Sequence, residues 1–478
     1  MLLEKLIDEC PVEYGKTEIL SLALRADECS KNSLFFCLNG SRYDGNEFIA
    51  EACAKGAACV ITQRKADNCS VPQIIVPDAR EALGKISARF YGNPQEKLKI
   101  IGVTGTNGKT TTTYMIASIL SATGAKTGII GTLGAFIEQK PVVFSGMTTP
   151  DPPEFFRILK FMADEKAEYV VMEVSAHALA LKKVDAVKFE VAAFTNLGRD
   201  HLDYFKDTEH YAAAKERLFL PSMCKNRVFN ADDVEGVKLF KQYPGSLTYG
   251  LNNPADVFAV NERCSLGGIR FVMNLCDDII KICCALPGRF NIYNALCAAA
   301  AVRLLGVGSR AICDGLKKLT GVTGRFNVIS GVKSKVVIDF AHTEESLENA
   351  LDSVRECSDG KVVVVFGCGG DRDAGKRAGM GRTASEKADF CVITSDNPRY
   401  EQPEKIIGDI CSGIKKDNYV AITERKEAIR YALECAGDNG IVLIAGKGGE
   451  NYQEICGVKY EYSDEQYIRS LIEEKVIK

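Results

Sequence analysis

Short apolar runs alternate with segments of helical periodicity along the chain, and Gly, Pro and Asn separate them. In residues 1–95 these runs predict a small α/β domain that closes in a linker at YGNPQEKLK, residues 91–99. The runs that carry this prediction are SLFFCL at 33–38, FIAEACAKGAACVIT at 48–62 and QIIVP at 73–77.

Residues 96–326 repeat the alternation on a larger scale and form the predicted central domain. Strands that alternate with helical stretches predict a mainly parallel sheet covered by helices. The strand-like runs are KIIGVTG at 99–105, YVVMEVS at 169–175 and VAAFTN at 191–196.

Residues 327–478 form the predicted third domain, again of α/β class. Each of its strand-like runs ends in Gly, Asp or Asn, which suits ligands bound beyond the carboxyl ends of parallel strands. These runs are VVIDFAH at 336–342, VVVVFGCGG at 362–370, FCVITSDNP at 390–398 and IVLIAGKGG at 441–449.

Composition narrows the class of protein. The net charge of -3 does not favour a surface that binds nucleic acid. If the protein binds a phosphate group, it must do so through a few residues at one site. The N-terminus MLLEKLIDEC lacks an apolar signal core, and no run approaches the roughly 18 to 20 apolar residues that span a bilayer. We expect a cytoplasmic protein that does not bind a membrane.

The 19 cysteines do not indicate a disulfide or zinc framework, because no CxxC pair occurs and there are only 4 histidines. Most of them, including Cys53, Cys59, Cys283 and Cys284, lie in apolar stretches. We expect reduced, buried cysteines and no structural metal site.

A phosphate-binding loop joins the first strand of the central domain to a helix. Glycines let backbone N–H groups approach an anion, the helix N-terminus faces the phosphates, Lys109 adds charge and Thr110 can reach a magnesium ion. Val103 stands where the strict pattern has Gly, so this is a variant. Nucleotide binding follows, but the loop does not separate kinase, ATPase, GTPase and ligase. It consists of Gly105, Thr106, Asn107, Gly108, Lys109, Thr110 and Thr111.

Three further residues are candidates for the same site. Glu173 ends an apolar strand, where it could hold magnesium or be a solvated charge. His201 could be a metal ligand or a structural histidine, and Lys215 taken alone is more typical of a solvated helix face.

Ten motifs occur in the same order and at plausible spacing as in the Mur ligases, so the chain resembles that family over essentially its whole length. The resemblance implies a uridine-binding α/β domain, a central ATPase domain with the phosphate loop, and a C-terminal Rossmann-like domain. The motifs are GTNGKTT, MEVSAHALAL, TNLGRDHLDYF, AAAKERLF, GRFNIYNALCAAA, GRFNVI, DFAHT, GCGGDRD, SDNPR and GKGGENYQ.

The resemblance also implies ATP and Mg²⁺ as cofactors, with Lys215 N-carboxylated. The implied metal ligands are Thr110, Glu173, His201 and carboxylated Lys215, and Lys109 joins the last three in catalysis. Beyond the loop, the implied ATP contacts are Asn291 and Asn294 near the adenine, Arg325 at the phosphates, Asp339 at the ribose, and His342.

For the substrates, the implied contacts fall into two groups. The UDP-muramoyl portion corresponds to Leu24, Ser41, Arg42, Tyr43, Thr148, Thr149, Ser175 and Lys183. The incoming amino acid corresponds to Arg372, Asp396, Asn397, Pro398, Arg399, Gly446 and Glu450, where Arg399 would bind the distal carboxylate of meso-diaminopimelate in a bidentate pair.

The implied activity is an ATP-dependent ligase of peptidoglycan synthesis, acting as a monomer on small molecules. It would convert the D-glutamyl carboxylate of UDP-N-acetylmuramoyl-L-alanyl-D-glutamate to an acyl phosphate and join it to meso-diaminopimelate. Three alternatives stay open: a paralogue that adds lysine or another amino acid, a folylpolyglutamate-type ligase, and a nucleotide-binding protein without turnover.

Several positions depart from the family pattern. Arg25-Ala26-Asp27 replaces a usual Asp-Ser-Arg, which removes a hydroxyl from the expected uridine site. Lys183 replaces an Arg, Glu344 replaces a Pro, and Gly449 replaces a His. Of the implied sites, the uridine site is the one that the residues of this chain support least.

Overall fold

The computed structural model describes residues 1–40, 43–138, 140–142, 146–329 and 334–474. Two compact units make up the chain, and each combines several segments of the sequence. The first unit is Met1–Gly102, Ala125–Ala192 and Ala214–Asn226, and the second unit is Val103–Gly124, Ala193–Ala213 and Arg227–Lys478.

The first unit begins with a parallel four-stranded sheet in the order β1-β2-β3-β4. Apolar clusters are centred on Leu34 and Phe36 and on Phe35 and Val60, so both faces of the sheet are covered. This explains the unbroken apolar run, because a doubly covered strand has no solvent face. The elements are β1 Ser21–Ala23, β2 Ser33–Phe36, α1 Ile49–Ala54, β3 Ala57–Thr62, β4 Gln73–Ile75 and α2 Ala79–Phe90.

The following segment, residues 99–194, contains the phosphate loop. Its first elements are β5 Lys99–Thr104, α3 Lys109–Ala122, β6 Thr127–Gly131, β7 Gly134–Ile137, β8 Lys140–Val142, α4 Pro152–Asp164, β9 Tyr169–Glu173, α5 Ala176–Ala180 and β10 Phe189–Phe194. Within the first unit, β6 pairs in parallel with β9 and antiparallel with β7, which pairs antiparallel with β8.

The remaining central elements are α6 Thr208–Glu216, β11 Cys224–Asn230, α7 Val234–Gln242, β12 Leu247–Gly250, β13 Val257–Ser265, β14 Gly268–Leu275, β15 Asp278–Cys284, α8 Phe290–Arg303 and α9 Ser309–Lys318. In the second unit β11, β12 and β13 run parallel, and β13, β14 and β15 run antiparallel. Helix α3 packs against α8 and α9. Gly315 permits the α9 contact, because a Cβ there would lie 2.3 Å from Cα of Ile119.

The last part of the second unit is a six-stranded sheet in the order β16-β17-β21-β18-β19-β20, in which only β16 runs antiparallel to its neighbour. Both faces are apolar, which matches the VVVVF run of β18. The elements are β16 Asn327–Ile329, β17 Lys335–Asp339, α10 Glu344–Glu356, β18 Val362–Phe366, α11 Arg377–Lys387, β19 Phe390–Ile393, α12 Pro403–Cys411, β20 Tyr419–Ala421, α13 Arg425–Ala436, β21 Ile441–Ala445, β22 Tyr452–Ile455, β23 Val458–Glu461 and α14 Asp464–Glu473.

The predicted α/β class with mainly parallel sheets is confirmed, but the strands are shorter than the apolar runs. The run at 390–398, for example, is a strand only over Phe390–Ile393, because its polar end forms a loop. No helix in the described ranges is long and apolar enough to cross a bilayer.

The expectation of buried cysteines is only partly correct. Cys59 and Cys284 are buried, whereas Cys53 is half-buried and Cys283 is exposed. Cys283 lies on β15, whose side chains alternate between buried and exposed positions, so its apolar neighbours do not share its face.

Candidate functional site

The phosphate loop has the predicted strand, loop and helix context. Strand β5 ends at Thr104, and helix α3 begins at Lys109 with Gly108 at its N-cap in the left-handed region, at φ +83°. A Cβ at Gly105, whose φ is +146°, would lie 1.8 Å from Oγ1 of Thr195. Glycine is therefore required at both positions for the loop to keep this shape.

Side chains from neighbouring segments hold the loop in place. The N–H of Asn107 donates to Oδ1 of Asn196 at 2.8 Å, and Oγ1 of Thr195 donates to the Asn107 carbonyl at 2.6 Å. Nζ of Lys109 donates to the carbonyls of Gly105 and Thr106 at 2.9 and 2.8 Å. The lysine side chain is thus held across the loop by two backbone carbonyls.

Asn291 and Asn294 lie beside this loop on helix α8. Oδ1 of Asn294 accepts from Oγ1 of Thr112 at 3.2 Å, and its Nδ2 donates to Oδ1 of Asn291 at 2.9 Å. Both asparagines are buried, and an added Cβ at Gly108 would lie 2.4 Å from Oδ1 of Asn294. The structure therefore brings the predicted α8 residues to the phosphate loop.

Arg325 and Asp339 meet at the same side of the second unit. Nη2 of Arg325 donates to Oγ1 of Thr110 at 3.0 Å, and its guanidinium carbon lies 4.2 Å from the centre of the Phe340 ring. Asp339 accepts from the N–H groups of Phe326 and Ala341 at 2.7 and 2.8 Å. Burial raises the pKa of Asp339, against the opposing effects of Arg325 and these N–H donors.

His201 and His342 share one carboxylate. Nε2 of each histidine lies 3.5 Å from Oδ2 of Asp200, and Nζ of Lys376 lies 3.8 Å from Oδ1. Burial alone would raise the pKa of Asp200, but His342, His201 and Lys376 together hold it well below its usual range. Asp200 therefore positions two predicted site residues, although the sequence analysis did not select it.

In the first unit, Glu173 ends β9 and is only 1% exposed, so the interpretation as a solvated charge is wrong. Its carboxylate accepts from the N–H of Thr132 at 2.8 Å and from the Thr132 hydroxyl at 3.1 Å. An added Cβ at Gly131 would lie 2.2 Å from its Oε1. The carboxylate is buried and oriented, as a metal ligand must be.

Three of the predicted contacts to the UDP-muramoyl portion lie close to Glu173. Oγ1 of Thr149 donates to the Glu173 carbonyl at 3.0 Å, and Oγ1 of Thr148 lies 3.1 Å from Oγ1 of Thr132. Ser175 caps helix α5 by accepting from the N–H of Ala178 at 3.2 Å. These hydroxyls lie on one edge of the first unit, where β6 and β9 are neighbours.

Lys183 and Lys215, both in the first unit, are buried to different degrees. Lys183 pairs with Asp151 at 2.8 Å, and its side chain is 12% exposed. Lys215 lies near the end of helix α6 and is only 2% exposed, so the interpretation as a solvated helix face is wrong. Among the described residues, no group of three or more His, Cys, Asp and Glu side chains could hold a metal ion.

Of the residues predicted to contact uridine, the structure describes Leu24 and Tyr43. Tyr43 is 66% exposed, and its ring centre lies 6.2 Å from that of Phe48. The N–H of Leu24 donates to Oε2 of Glu28 at 3.2 Å. Ser41 and Arg42 lie outside the described residues.

The predicted amino-acid contacts form one cluster at the carboxyl ends of β19 and β21. Nδ2 of Asn397 donates to Oε2 of Glu450 at 2.8 Å, and the buried Nζ of Lys447 donates to Oδ1 of Asn397 at 2.9 Å and to Oε2 of Glu450 at 3.1 Å. An added Cβ at Gly446 would lie 2.7 Å from Oδ2 of Asp396. Lys447 organises the cluster and was not selected from the sequence, although it lies within the GKGGE motif.

Arg372, Pro398 and Arg399 flank this cluster around the turn at Gly369 and Gly370. Nη1 of Arg399 donates to the Gly370 carbonyl at 2.7 Å, and an added Cβ at Gly370 would lie 1.9 Å from the Pro398 carbonyl oxygen. Arg372 points to a different carboxylate, with its Nη1 3.7 Å from Oδ2 of Asp203.

Family models match three parts of the chain. Residues 18–91 match the model of the Mur ligase family, catalytic domain, residues 103–302 match the Mur ligase middle domain, and residues 324–448 match the Mur ligase, glutamate ligase domain. The matches together cover more than half of the sequence.

Relatives of similar length show the same likeness. The chain is 42% identical to UDP-N-acetylmuramoyl-L-alanyl-D-glutamate--2,6-diaminopimelate ligase 1 of Clostridium acetobutylicum, over 98% of each protein. It is also 42% identical to the corresponding ligase of Aquifex aeolicus, over 95% of this chain and 94% of the relative. A solved structure of such a diaminopimelate ligase superposes with a TM-score of 0.71 at 32% identity and covers 100% of both chains.

Proposed function

Because the chain belongs to the Mur ligase family, we propose that it joins meso-diaminopimelate to the D-glutamyl residue of UDP-N-acetylmuramoyl-L-alanyl-D-glutamate at the expense of ATP. The observation that carries the proposal is the cluster of Asp396, Asn397, Arg399 and Glu450 in a chain that is 42% identical to a ligase named for this amino acid. An arginine and a glutamate can together recognise a distal carboxylate and a distal ammonium.

The chemistry requires activation of a carboxylate, because a carboxylate and an amine form only a salt at neutral pH. A carboxylate oxygen of the substrate attacks the γ-phosphorus of ATP, and ADP leaves, which yields an acyl phosphate. The amine nitrogen then attacks the acyl carbon, inorganic phosphate leaves, and the nitrogen loses a proton. Lys109 and Arg325 offset the charge that builds up on the phosphates during the first step.

We assign the other nucleotide contacts by the family pattern. Asn291 and Asn294 would contact the adenine, and Asp339 the ribose. His342 would contact the nucleotide from the third domain. The buried hydrogen bonds of Asn291 and Asn294 beside the phosphate loop support this assignment.

Magnesium fits the donor groups that the proposal assigns to it. Glu173 offers a buried carboxylate and Thr110 a buried hydroxyl, and a hard cation completes its coordination with phosphate oxygens and water. His201 would be a further ligand. A magnesium ion held by these residues would reduce the repulsion between the phosphates and the attacking carboxylate.

We also propose that Lys215 carries a carbamate. Its amine would add to the carbon of CO₂ and release a proton, so that an anion replaces the ammonium. The 2% exposure of Lys215 supports this, because an ammonium loses its hydration at such a site. The carbamate would join Glu173 in binding magnesium.

The proposed substrate contacts and domains follow the same pattern. Domain bounds are 1–95 for the UDP portion, 96–326 for ATP and 327–478 for the amino acid. The UDP-muramoyl portion would contact Leu24, Ser41, Arg42, Tyr43, Thr148, Thr149, Ser175 and Lys183. We further propose a monomer that acts in the cytoplasm, where charged nucleotide substrates are retained.

The test is a product assay with purified protein, ATP, Mg²⁺ and UDP-muramoyl dipeptide, with meso-diaminopimelate or lysine supplied separately. We expect a product of the mass of the diaminopimelate tripeptide, with sustained release of ADP only when both substrates are present. Arg399→Ala should abolish use of meso-diaminopimelate. A lysine product alone would support a paralogue, and ATP binding without any product would support a protein without turnover.

A further inference from the structure

Two segments of the second unit hold the guanidinium of Arg399. Nη1 donates to the Gly370 carbonyl at 2.7 Å, whereas Nε lies 3.3 Å from Oε2 of Glu454 on strand β22. The side chains of Arg399 and Glu454 are 19% and 22% exposed. The pair is therefore shielded from most of the solvent that weakens surface ion pairs.

The backbone fixes this pairing. The N–H of Arg399 donates to the Glu454 carbonyl at 3.0 Å, and the N–H of Cys456 donates to the Arg399 carbonyl at 2.7 Å. Arg399 itself has a φ of +51°, which turns the chain toward β22. The Glu454 carboxylate is thus held beside Arg399 by strand geometry as well as by charge.

Glu454 also belongs to the amino-acid cluster. Its N–H donates at 3.0 Å to Oδ1 of Asn397, the atom that accepts from Lys447. Burial raises the pKa of the neighbouring Tyr452, and Glu450 and Glu454 raise it further while Arg399 lowers it. The charges of Glu450, Glu454 and Arg399 therefore all act close to Tyr452.

We propose that Glu454 is a specificity-determining residue that competes with the distal carboxylate of the incoming diamino acid for the guanidinium of Arg399. The inference rests on the function proposed above and adds a residue to it. A carboxylate binds a guanidinium best through two adjacent N–H groups, and each such edge of Arg399 includes either Nε or Nη1. The Glu454 carboxylate lies against the edge that includes Nε, and the Gly370 carbonyl accepts from Nη1, which belongs to the other edge.

This competition lowers the preference of the site for meso-diaminopimelate over lysine. The Glu454 carboxylate neutralises part of the charge that Arg399 offers to a distal carboxylate. It also adds to Glu450 an attraction for a distal ammonium, which lysine carries as well. Glu454 therefore broadens the range of diamino acids that the site accepts.

Glu454→Gln keeps the size of the side chain and removes its charge. We expect the KM for meso-diaminopimelate to fall roughly fivefold, the factor that one ion pair of this exposure is worth, with little change in kcat. The KM for lysine should rise or stay the same, so the ratio of kcat/KM values increases. Glu461→Gln removes a charge from an exposed position of the same hairpin and should leave the ratio unchanged.

An unchanged or reduced ratio in Glu454→Gln would overturn the proposal, because Glu454 would then orient Arg399 for the substrate rather than compete with it. If Glu454→Gln does not fold, calorimetric binding of each amino acid to Glu454→Ala distinguishes the same two outcomes. Failure of the proposed function is a separate result, since the unaltered protein would then form no product with either amino acid.

Discussion

Several charged side chains of the candidate site are withdrawn from water, which is a feature at the scale of single residues. Glu173, Lys215 and Lys447 have exposures of 1%, 2% and 0%. Burial of a charge costs free energy unless hydrogen bonds or an opposite charge compensate for it, and such groups are concentrated at functional sites. Thr132 compensates Glu173, and Asn397 with Glu450 compensates Lys447.

Lys215→Met tests the proposed carbamate at the same scale. The substitution keeps an unbranched side chain in the buried position but removes the nitrogen that would react with CO₂. We expect kcat to fall by about a hundredfold or more, as when one electrostatic contact to a transition state is removed. The measurement is product formation under saturating substrates, with folding checked by circular dichroism.

Lys225→Met is the control for that experiment, because the Lys225 side chain is 54% exposed and pairs with Glu190, which is 26% exposed. It should keep nearly full activity. The same kcat in Lys215→Met and in the unaltered protein would exclude a catalytic carbamate.

The phosphate loop shows what the sequence pattern specifies at the scale of an element. Strand β5, the glycines and helix α3 were all predicted, because periodicity, glycine spacing and a lysine coincide over Lys99–Ala122. The hydrogen bond from Thr132 to Glu173 has no such local signal, because the two residues lie 41 positions apart and meet only when β6 pairs with β9.

Pairing between distant strands also determines the elements that have no clear signal in the sequence. The antiparallel strands β13, β14 and β15 were not predicted separately, although a two-residue turn at Leu266 and Gly267 joins β13 to β14. Hairpin β22–β23 was also not predicted, because β23 is only four residues long and exposed along its whole length. Its role depends on contacts with Arg399, which lies far away in sequence.

Gly105→Ala tests the geometry of the phosphate loop. The new Cβ would lie 1.8 Å from Oγ1 of Thr195, and φ of +146° disfavours any side chain, so the loop must change shape. We expect the Kd for an ATP analogue to rise at least tenfold, measured by fluorescence titration. Gly308→Ala is the matched control, since an added Cβ there meets nothing within 4 Å.

Ion pairs where helices α11 and α12 meet predict how the stability of the fold depends on pH. Arg377, whose side chain is 2% exposed, donates to both carboxylate oxygens of Glu401 at 3.0 and 2.8 Å and to Asp409 at 2.9 Å. The hydrogen bond from Arg377 lowers the pKa of Glu401. A lowered pKa in the folded state stabilises the fold above the ordinary carboxyl pKa, and this contribution is lost as the pH falls through the folded value.

Glu401→Gln should therefore lower the free energy of unfolding by about 1 kcal/mol at pH 7, and the difference from the unaltered protein should shrink below about pH 4. Urea denaturation across this range measures both quantities. Glu404→Gln, at an exposed position of α12, should show neither effect. If the difference in free energy of unfolding stayed constant with pH, the charge of Glu401 would not contribute to the stability of the fold.

At the scale of the whole molecule, one short segment contacts both parts of the second unit that the proposed reaction uses. Arg325 donates to Thr110 of the phosphate loop at 3.0 Å. The adjacent Gly324 packs so closely on the GKGGE loop that an added Cβ would lie 1.8 Å from the backbone nitrogen of Gly449. The segment thus links the nucleotide site to the loop that carries Lys447 and Glu450.

This link matters because an acyl phosphate hydrolyses in water, so its formation and its capture by the amine must follow each other closely. If the reaction proceeds in these two steps, ATP labelled with ¹⁸O at the β,γ-bridging position should move its label to the nonbridging positions of the β-phosphate in the presence of UDP-muramoyl dipeptide. The reason is that bound ADP rotates its β-phosphate before the acyl phosphate returns the phosphoryl group. Scrambling should require the dipeptide and should not require the amino acid.

Borohydride gives an independent readout of the same intermediate, since it reduces an acyl phosphate to an alcohol that mass spectrometry detects on the dipeptide. Lys109→Met is the control, because it removes the charge that lies across the phosphate loop and should suppress both signals. ADP release in the complete reaction, with neither scrambled label nor trapped alcohol in the reaction without amino acid, would rule out an acyl phosphate that forms before the amine binds.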